Sequence, residues 1–148
     1  MSLETVQLRE GESADLTFII KQWCESFYQF TGRHSISKEV FYPEQRKLAF
    51  DLLERSQIRV VQEGSILKAF AIVDLHDTVV HYIYVIQKER RKGHAKSLIE
   101  DLLSAQWRYT HGTPPGHEFA KRLGGVYNPY LLTKLLHELD HPSNRSTH

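Results

Sequence analysis

Apolar side chains recur every three or four positions at Leu16, Ile19, Ile20, Trp23, Phe27 and Phe30, the spacing of one buried helix face. Ser13 stands where an N-cap would, so this helix is expected from there to Phe30, with Gly32 breaking the pattern. Leu48, Leu52 and Leu53 share a face of a second helix, read from Pro43 to Arg55 because proline suits a first helical position. The period then falls from about four to two. Strands are expected over 5–8, 58–62, 67–75 and 78–86, the last three joined by the polar turns Glu63-Gly64 and His76-Asp77, which predicts an antiparallel meander. Leu98, Ile99, Leu102 and Leu103 place a helix over 95–105. Trp107–Thr110 follows as a short strand, His111–Gly116 as a loop and His117–Leu123 as a helix stopped by Gly124-Gly125. Leu131, Leu132, Leu135, Leu136 and Leu139 continue a final helix over 128–141 behind Asn128-Pro129, its expected role being to pack on the core. The fold class is α/β (α+β): a mixed, mostly antiparallel sheet flanked by helices in one domain spanning 1–148, with 142–148 a frayed tail.

Composition narrows the functional classes. With 148 residues, 41% of them hydrophobic, the chain can bury a core. Nineteen basic residues against eighteen acidic ones leave a formal charge of +1, which gives no general attraction to nucleic acid or an acidic membrane. No apolar run approaches the ~18 residues that span a bilayer, and the first ten residues lack a signal peptide's apolar stretch. A lone cysteine, Cys24, excludes an intrachain disulfide. A cytoplasmic location is expected, and a homodimer is left open.

The chemically informative segment runs from His81 to Lys96. An apolar strand feeds a loop with a single glycine, Gly93, which opens a helix; Lys88, Arg90, Arg91, Lys92 and Lys96 lie within nine residues. Unpaired N–H groups and cationic side chains at such a strand–loop–helix junction suit a phosphate or pyrophosphate, although a solvated connection has the same composition. It is neither a P-loop nor a dinucleotide fingerprint, since the required glycines are absent.

Arg90-Arg91-Lys92-Gly93-His94-Ala95 resembles the Gln/Arg-x-x-Gly-x-Gly/Ala signature of the GNAT N-acetyltransferase superfamily, and the surrounding element order extends the resemblance over roughly residues 5–125. The resemblance implies an acetyl-CoA-dependent N-acetyltransferase, with acetyl-CoA as cosubstrate, no metal, and an amine-bearing small molecule, peptide or protein lysine as acceptor. It implies that Arg90, Arg91, Lys92, Gly93, His94, Ala95 and Lys96 cradle the pyrophosphate, chiefly through the amides of Arg91, Gly93 and Ala95. Ile83 and Val85 would pair their backbone with the pantetheine arm in a splayed gap between strand 78–86 and strand 107–110.

Transfer to an amine requires the neutral form, which a lysine-like group with pKa ~10.4 offers about once in 2,500 molecules at pH 7, so a general base is useful. His81, on the cofactor strand, is the candidate base on the strength of its ordinary near-neutral titration. The tyrosine acid that the resemblance leads one to expect on helix 117–123 is missing: Ala120 occupies that position beside Phe119. Tyr127 is the candidate substitute, against the alternative of a packed aromatic. His111, His117 and Glu118 flank the other side of the expected cleft. The helix at 128–141 also replaces strands that help shape the acceptor site in the family. A GNAT-like fold that binds CoA or a protein without catalysis is therefore a second reading. His137-Glu138-Leu139-Asp140-His141 fits the zinc-hydrolase pattern His-Glu-x-x-His, but it lacks a third ligand and Pro142 ends the helix at once.

Overall fold

The computed structural model describes residues 5–32 and 35–140. Its centre is a six-stranded sheet in sequential order: β1 (Val6–Glu10), β2 (Gln57–Glu63), β3 (Ile66–Asp74), β4 (Val79–Val85), β5 (Arg108–Tyr109) and β6 (Val126–Tyr127). β1 to β4 pair antiparallel, whereas β4, β5 and β6 run parallel. The mixed α/β class and the meander expected over 58–86 are as observed.

β3 shows why the sheet is central. Residues 69–73 are fully buried, and strand alternation divides them between two cores. Ala69, Ala71 and Val73 face α3 (His94–Ile99) and α4 (Pro114–Leu123), where Leu98, Ile99, Trp107 and Ala120 complete one cluster. Phe70 and Ile72 face α1 (Leu16–Phe27) and α2 (Lys38–Leu53), packing with Ile19, Trp23, Ala49 and Leu52. The last helix, α5 (Leu131–Asp140), buries Leu131 and Leu135 against Val79, so it serves the core. The tail expected at 142–148 lies outside the described residues.

Several boundaries differ from the pattern, each for a physical reason. Ser13 is not the N-cap of α1: a three-ten turn at Ser13–Asp15 precedes the helix, with Asp15 accepting from the Glu12 amide at 2.7 Å and a twin hydrogen bond from Arg9 at 2.9 and 3.0 Å. α1 ends at Phe27, and the chain widens into one π turn over Tyr28–Gly32. Pro43 does not start α2 but sits inside it. Ser37 is extended, its carbonyl accepts from the Val40 and Phe41 amides, and burial of Phe41 against Phe27 and Tyr28 draws 38–42 into the helix. α3 stops at Ile99 because Arg59 captures the Leu98 carbonyl at 2.9 Å and also grips Asp101, turning 100–102 into a three-ten turn. α4 begins at Pro114, three residues earlier than expected, because Thr113 caps it by accepting from the Gly116 amide at 3.1 Å.

Candidate active site

β4 carries the construction. At Ile72/Val73 opposite Tyr82/Val80 the register slips by one, leaving His81 as the extra residue of a β-bulge. On its other edge β4 pairs with β5 only through Val79 and Val80. Past Val80 the strands part, and residues 81–85 line a cleft of about 1010 Å³ together with the 89–96 loop and the facing surface of α4. This is the splayed gap anticipated from the sequence, with Ile83 and Val85 on its wall.

At the mouth of the cleft the backbone is left-handed at Arg91 (φ +69°) and Gly93 (φ +84°), but not at the intervening Lys92. Alternating handedness turns successive N–H groups towards one point, as in anion-binding nests. A Cβ on Gly93 would meet no atom within 4 Å, so the glycine is required by its torsion and by whatever approaches from outside, not by protein neighbours. Arg91 adopts the same region without glycine's freedom, a cost of ~1–2 kcal/mol of the kind found at binding sites.

The loop's cations divide into two groups. Glu89, at its base, accepts from His94 Nε2 and Lys92 Nζ, both at 3.2 Å, and from Lys68 Nζ of β3 at 3.4 Å. The hydrogen bond from His94, then that from Lys92, holds the Glu89 carboxyl down to about 2. Lys92 and His94 therefore brace the loop. Arg90, which also donates to the Val85 carbonyl at 3.2 Å, lines the cleft along with Arg91 and Lys96. Arg122 of α4 joins them from the opposite wall; nothing in its spacing marked it in the sequence.

His81 is fully buried in the cleft wall, its Nδ1 2.8 Å from Thr110 Oγ1. The near-neutral titration expected of it is not what this environment gives: burial, aided by the positive charge of Arg55, lowers its pKa to about 3. His111, which also lines the cleft, is likewise lowered to about 3, by burial and then by His81; it lies edge-on to Trp23 and Phe27. Tyr127 is 45% exposed, its ring against Tyr109 and His117 and not in the cleft lining. The hydroxyl that lies nearer the cleft is that of Tyr109, which meets His117 Nδ1 at 2.6 Å. Glu118 lines the outer rim, and Ala120 is buried in the core beneath. In the His-Glu-x-x-His segment, the Glu138 carboxylate is taken by Arg55, and His141 lies outside the described residues.

No known family model matches the sequence, and no curated protein matches it. Solved structures do. A GCN5-related N-acetyltransferase from Rhodopseudomonas palustris superposes over 82% of this chain and 82% of its own with a TM-score of 0.56 at 19% identity. The chain has the GNAT acetyltransferase fold. An aminoglycoside N-acetyltransferase in complex with CoA superposes on it over 84% of this chain and 90% of its own, with a TM-score of 0.50 at 11% identity. At such identities the likeness is one of GNAT architecture, and the chemistry rests on the residues of this cleft.

Proposed function

We propose that the chain is an acetyl-CoA-dependent N-acetyltransferase. The observation that carries this reading is the open edge of β4 over 81–85 running directly into a left-handed, cation-lined loop within one cleft. The pantetheine arm would add to that edge as an extra strand along Ile83 and Val85, satisfying backbone groups that β5 leaves behind. The pyrophosphate would sit on the amides of Arg91, Gly93 and Ala95, with Arg90, Arg91, Lys96 and Arg122 supplying charge. Lys92 and His94 act through Glu89, keeping the loop in shape.

In the reaction the acceptor nitrogen attacks the thioester carbonyl carbon, and the C–O electron pair moves onto oxygen. Collapse then breaks the C–S bond, and one proton passes from the nitrogen to the departing thiolate, giving an amide and free CoA. His81, held neutral, sits beside the point where β4 and β5 part. Tyr127 is not among the residues that line the cleft, whereas Tyr109 is, which makes Tyr109 the better-placed hydroxyl. The acceptor would enter over Phe30 and Glu118, whose carboxylate suits an ammonium group before it sheds its proton.

Calorimetric titration with acetyl-CoA and with CoA tests the reading, beside Gly93→Asp. Micromolar binding by the wild type, lost in the variant, followed by acetylation of an amine, is expected. No binding by the wild type would sink it. The buried Ala120 in place of an acid favours one second reading, a CoA-binding module without transfer. Tight acetyl-CoA binding with no acetylation across alkylamines, aminoglycosides and peptide N-termini would establish that instead.

A further inference from the structure

β1 ends the sheet on the side away from the cleft, and among the described residues no strand pairs with its outer edge. One bond decides which backbone groups that edge presents. The Gly11 amide donates to the Ile58 carbonyl at 2.7 Å, and hydrogen-bonded pairs alternate along an antiparallel ladder. Arg9–Val60 and Gln7–Gln62 are therefore bonded pairs, and Val6, Leu8 and Glu10 turn their N–H and C=O groups outward. The Glu10 carbonyl already accepts from Arg9 Nη1 at 2.9 Å, which leaves it one lone pair. Bare edges are normally blunted by proline, lysine or a bulge. β1 has none of these: it reads Val-Gln-Leu-Arg-Glu, and its register with β2 is unbroken. Its one cation, Arg9, is held by Asp15 and Gln62.

Strand alternation puts Val6, Leu8 and Glu10 together on the face that carries α3. There Leu8 stands beside Val61, its partner in register. Val61 is buried with Leu98 and Ile99, whereas Leu8 is 53% and Val6 56% exposed. The helix thus covers β2 and leaves β1 bare. A groove of about 440 Å³ runs between them, with Leu8, Glu10, Arg59 and Leu98 in its lining.

We propose that β1 pairs with β1 of a second copy of this chain, antiparallel about a two-fold axis at Leu8, so that one sheet runs through both subunits. Register and charge select this occupant. With Leu8 opposite Leu8 of the second copy, Val6 meets Glu10 of the second copy and Gln7 meets Arg9 of the second copy. Every outward N–H and C=O over 6–10 then has a partner, and no like charges face each other. Slipping by two residues in one direction sets Arg9 against Arg9; slipping in the other leaves Glu10 past the end of the strand. In the centred register the row across the joint is Val61, Leu8, Leu8, Val61, which buries the leucine that a single chain exposes. Such an isologous contact closes on itself and leaves the cleft at β4 and β5 open.

Introduced cysteines test the register. Residues of a hydrogen-bonded antiparallel pair have Cα atoms ~5.5 Å apart, within the span of a disulfide. Cys24 is 2% exposed and stays out of the reaction. Under mild oxidation Leu8→Cys should form a covalent dimer roughly tenfold faster than Val6→Cys, which is equally exposed but faces Glu10 of the second copy. Combining Val6→Cys with Glu10→Cys should restore the fast crosslink. In sedimentation equilibrium the wild-type mass should rise with concentration from 17.3 kDa towards twice that value. Leu8→Lys should hold it at the monomer while keeping the wild-type circular dichroism spectrum. Equal rates for Leu8→Cys and Val6→Cys, the mark of random collision, would overturn the proposal, as would a wild type that stays monomeric at submillimolar concentration. A dimer that Leu8→Lys leaves intact would also overturn it, since that contact is made elsewhere. Should Leu8→Lys fail to fold, the pattern of crosslinks still decides. The result is independent of acetyl-CoA binding, which the cleft alone governs.

Discussion

His81 and His111 bring two imidazoles into the interior as neutral rings, and the consequence is a stability that depends on pH. Both have folded-state pKa values of about 3, below the ordinary 6.5. Between those values the unfolded chain binds more protons, so stability is fully present above about 6.5 and is lost as the pH falls towards 3. From pH 7 to pH 5 each ring should cost about 2 kcal/mol, a large fraction of a typical domain's total. Urea unfolding at the two pH values should show that drop, and His111→Gln should roughly halve it; a flat profile would mean that the rings are solvated. Glu89 presents the opposite electrostatic case. Replacing it by glutamine makes the loop more positive, which by charge alone would tighten a pyrophosphate. It also frees Lys92, His94 and Lys68 from a shared acceptor, and the loss of the bonds that shape the loop outweighs one screened charge. Glu89→Gln should therefore weaken acetyl-CoA binding about tenfold by calorimetry, and tighter binding would show that field dominates over form.

At the scale of elements, α5 is held by more than its leucines. Arg55, past the end of α2 and 1% exposed at its side chain, pairs with Asp74 of β3, Asp77 of the following turn and Glu138 of α5, so one cation ties together segments far apart in sequence. Removing it leaves carboxylates facing each other in a dry site, an imbalance that costs ~3–5 kcal/mol. Arg55→Met should lower the unfolding free energy by that order, whereas Lys47→Ala, which breaks an exposed pair with Asp51, should change it by less than ~1 kcal/mol. Equal effects would refute the argument. The cluster was invisible in the sequence because charges spaced from 55 to 138 follow no period. The elements themselves were legible where burial imposes one: the alternating strands and the leucines of α5. What escaped was governed by single contacts. The two-residue strand β6 has no pattern to display, and the early start of α4 depends on the Thr113 cap. The loop was readable because its cations and glycine are contiguous. Thr110 and Arg122 were not, since the fold alone brings β5 and α4 to β4.

Across the whole molecule, the sheet is continuous in order but uneven in strength. The meander from β1 to β4 is paired along most of its strands, with one register shift in each of its last two ladders, while β4, β5 and β6 share only two residue pairs at each step. The half made of β5, α4 and β6 is thus attached to the rest by a short seam and by the Trp107 cluster, with the cleft opening between them. A ligand that pairs with the free edge of β4 and touches Arg122 across the gap would complete the missing stretch of sheet and join the halves. Binding to the folded state alone adds RT ln(1 + [L]/Kd), about 2.7 kcal/mol at a hundredfold excess over Kd. For a domain of this size that is a rise in Tm of roughly 5–10 °C. Acetyl-CoA should produce it, and hydrogen exchange should slow at residues 81–85 and 91–95 together with 108–109. Gly93→Ala separates the causes, because its Cβ meets no protein atom. Without ligand the substitution should lower Tm only slightly, through the left-handed torsion. If the acetyl-CoA-induced rise, measured from that lowered Tm, is also smaller than in the wild type, the ligand lies against position 93. A full rise in Gly93→Ala, or protection confined to one side of the seam, would place the ligand elsewhere.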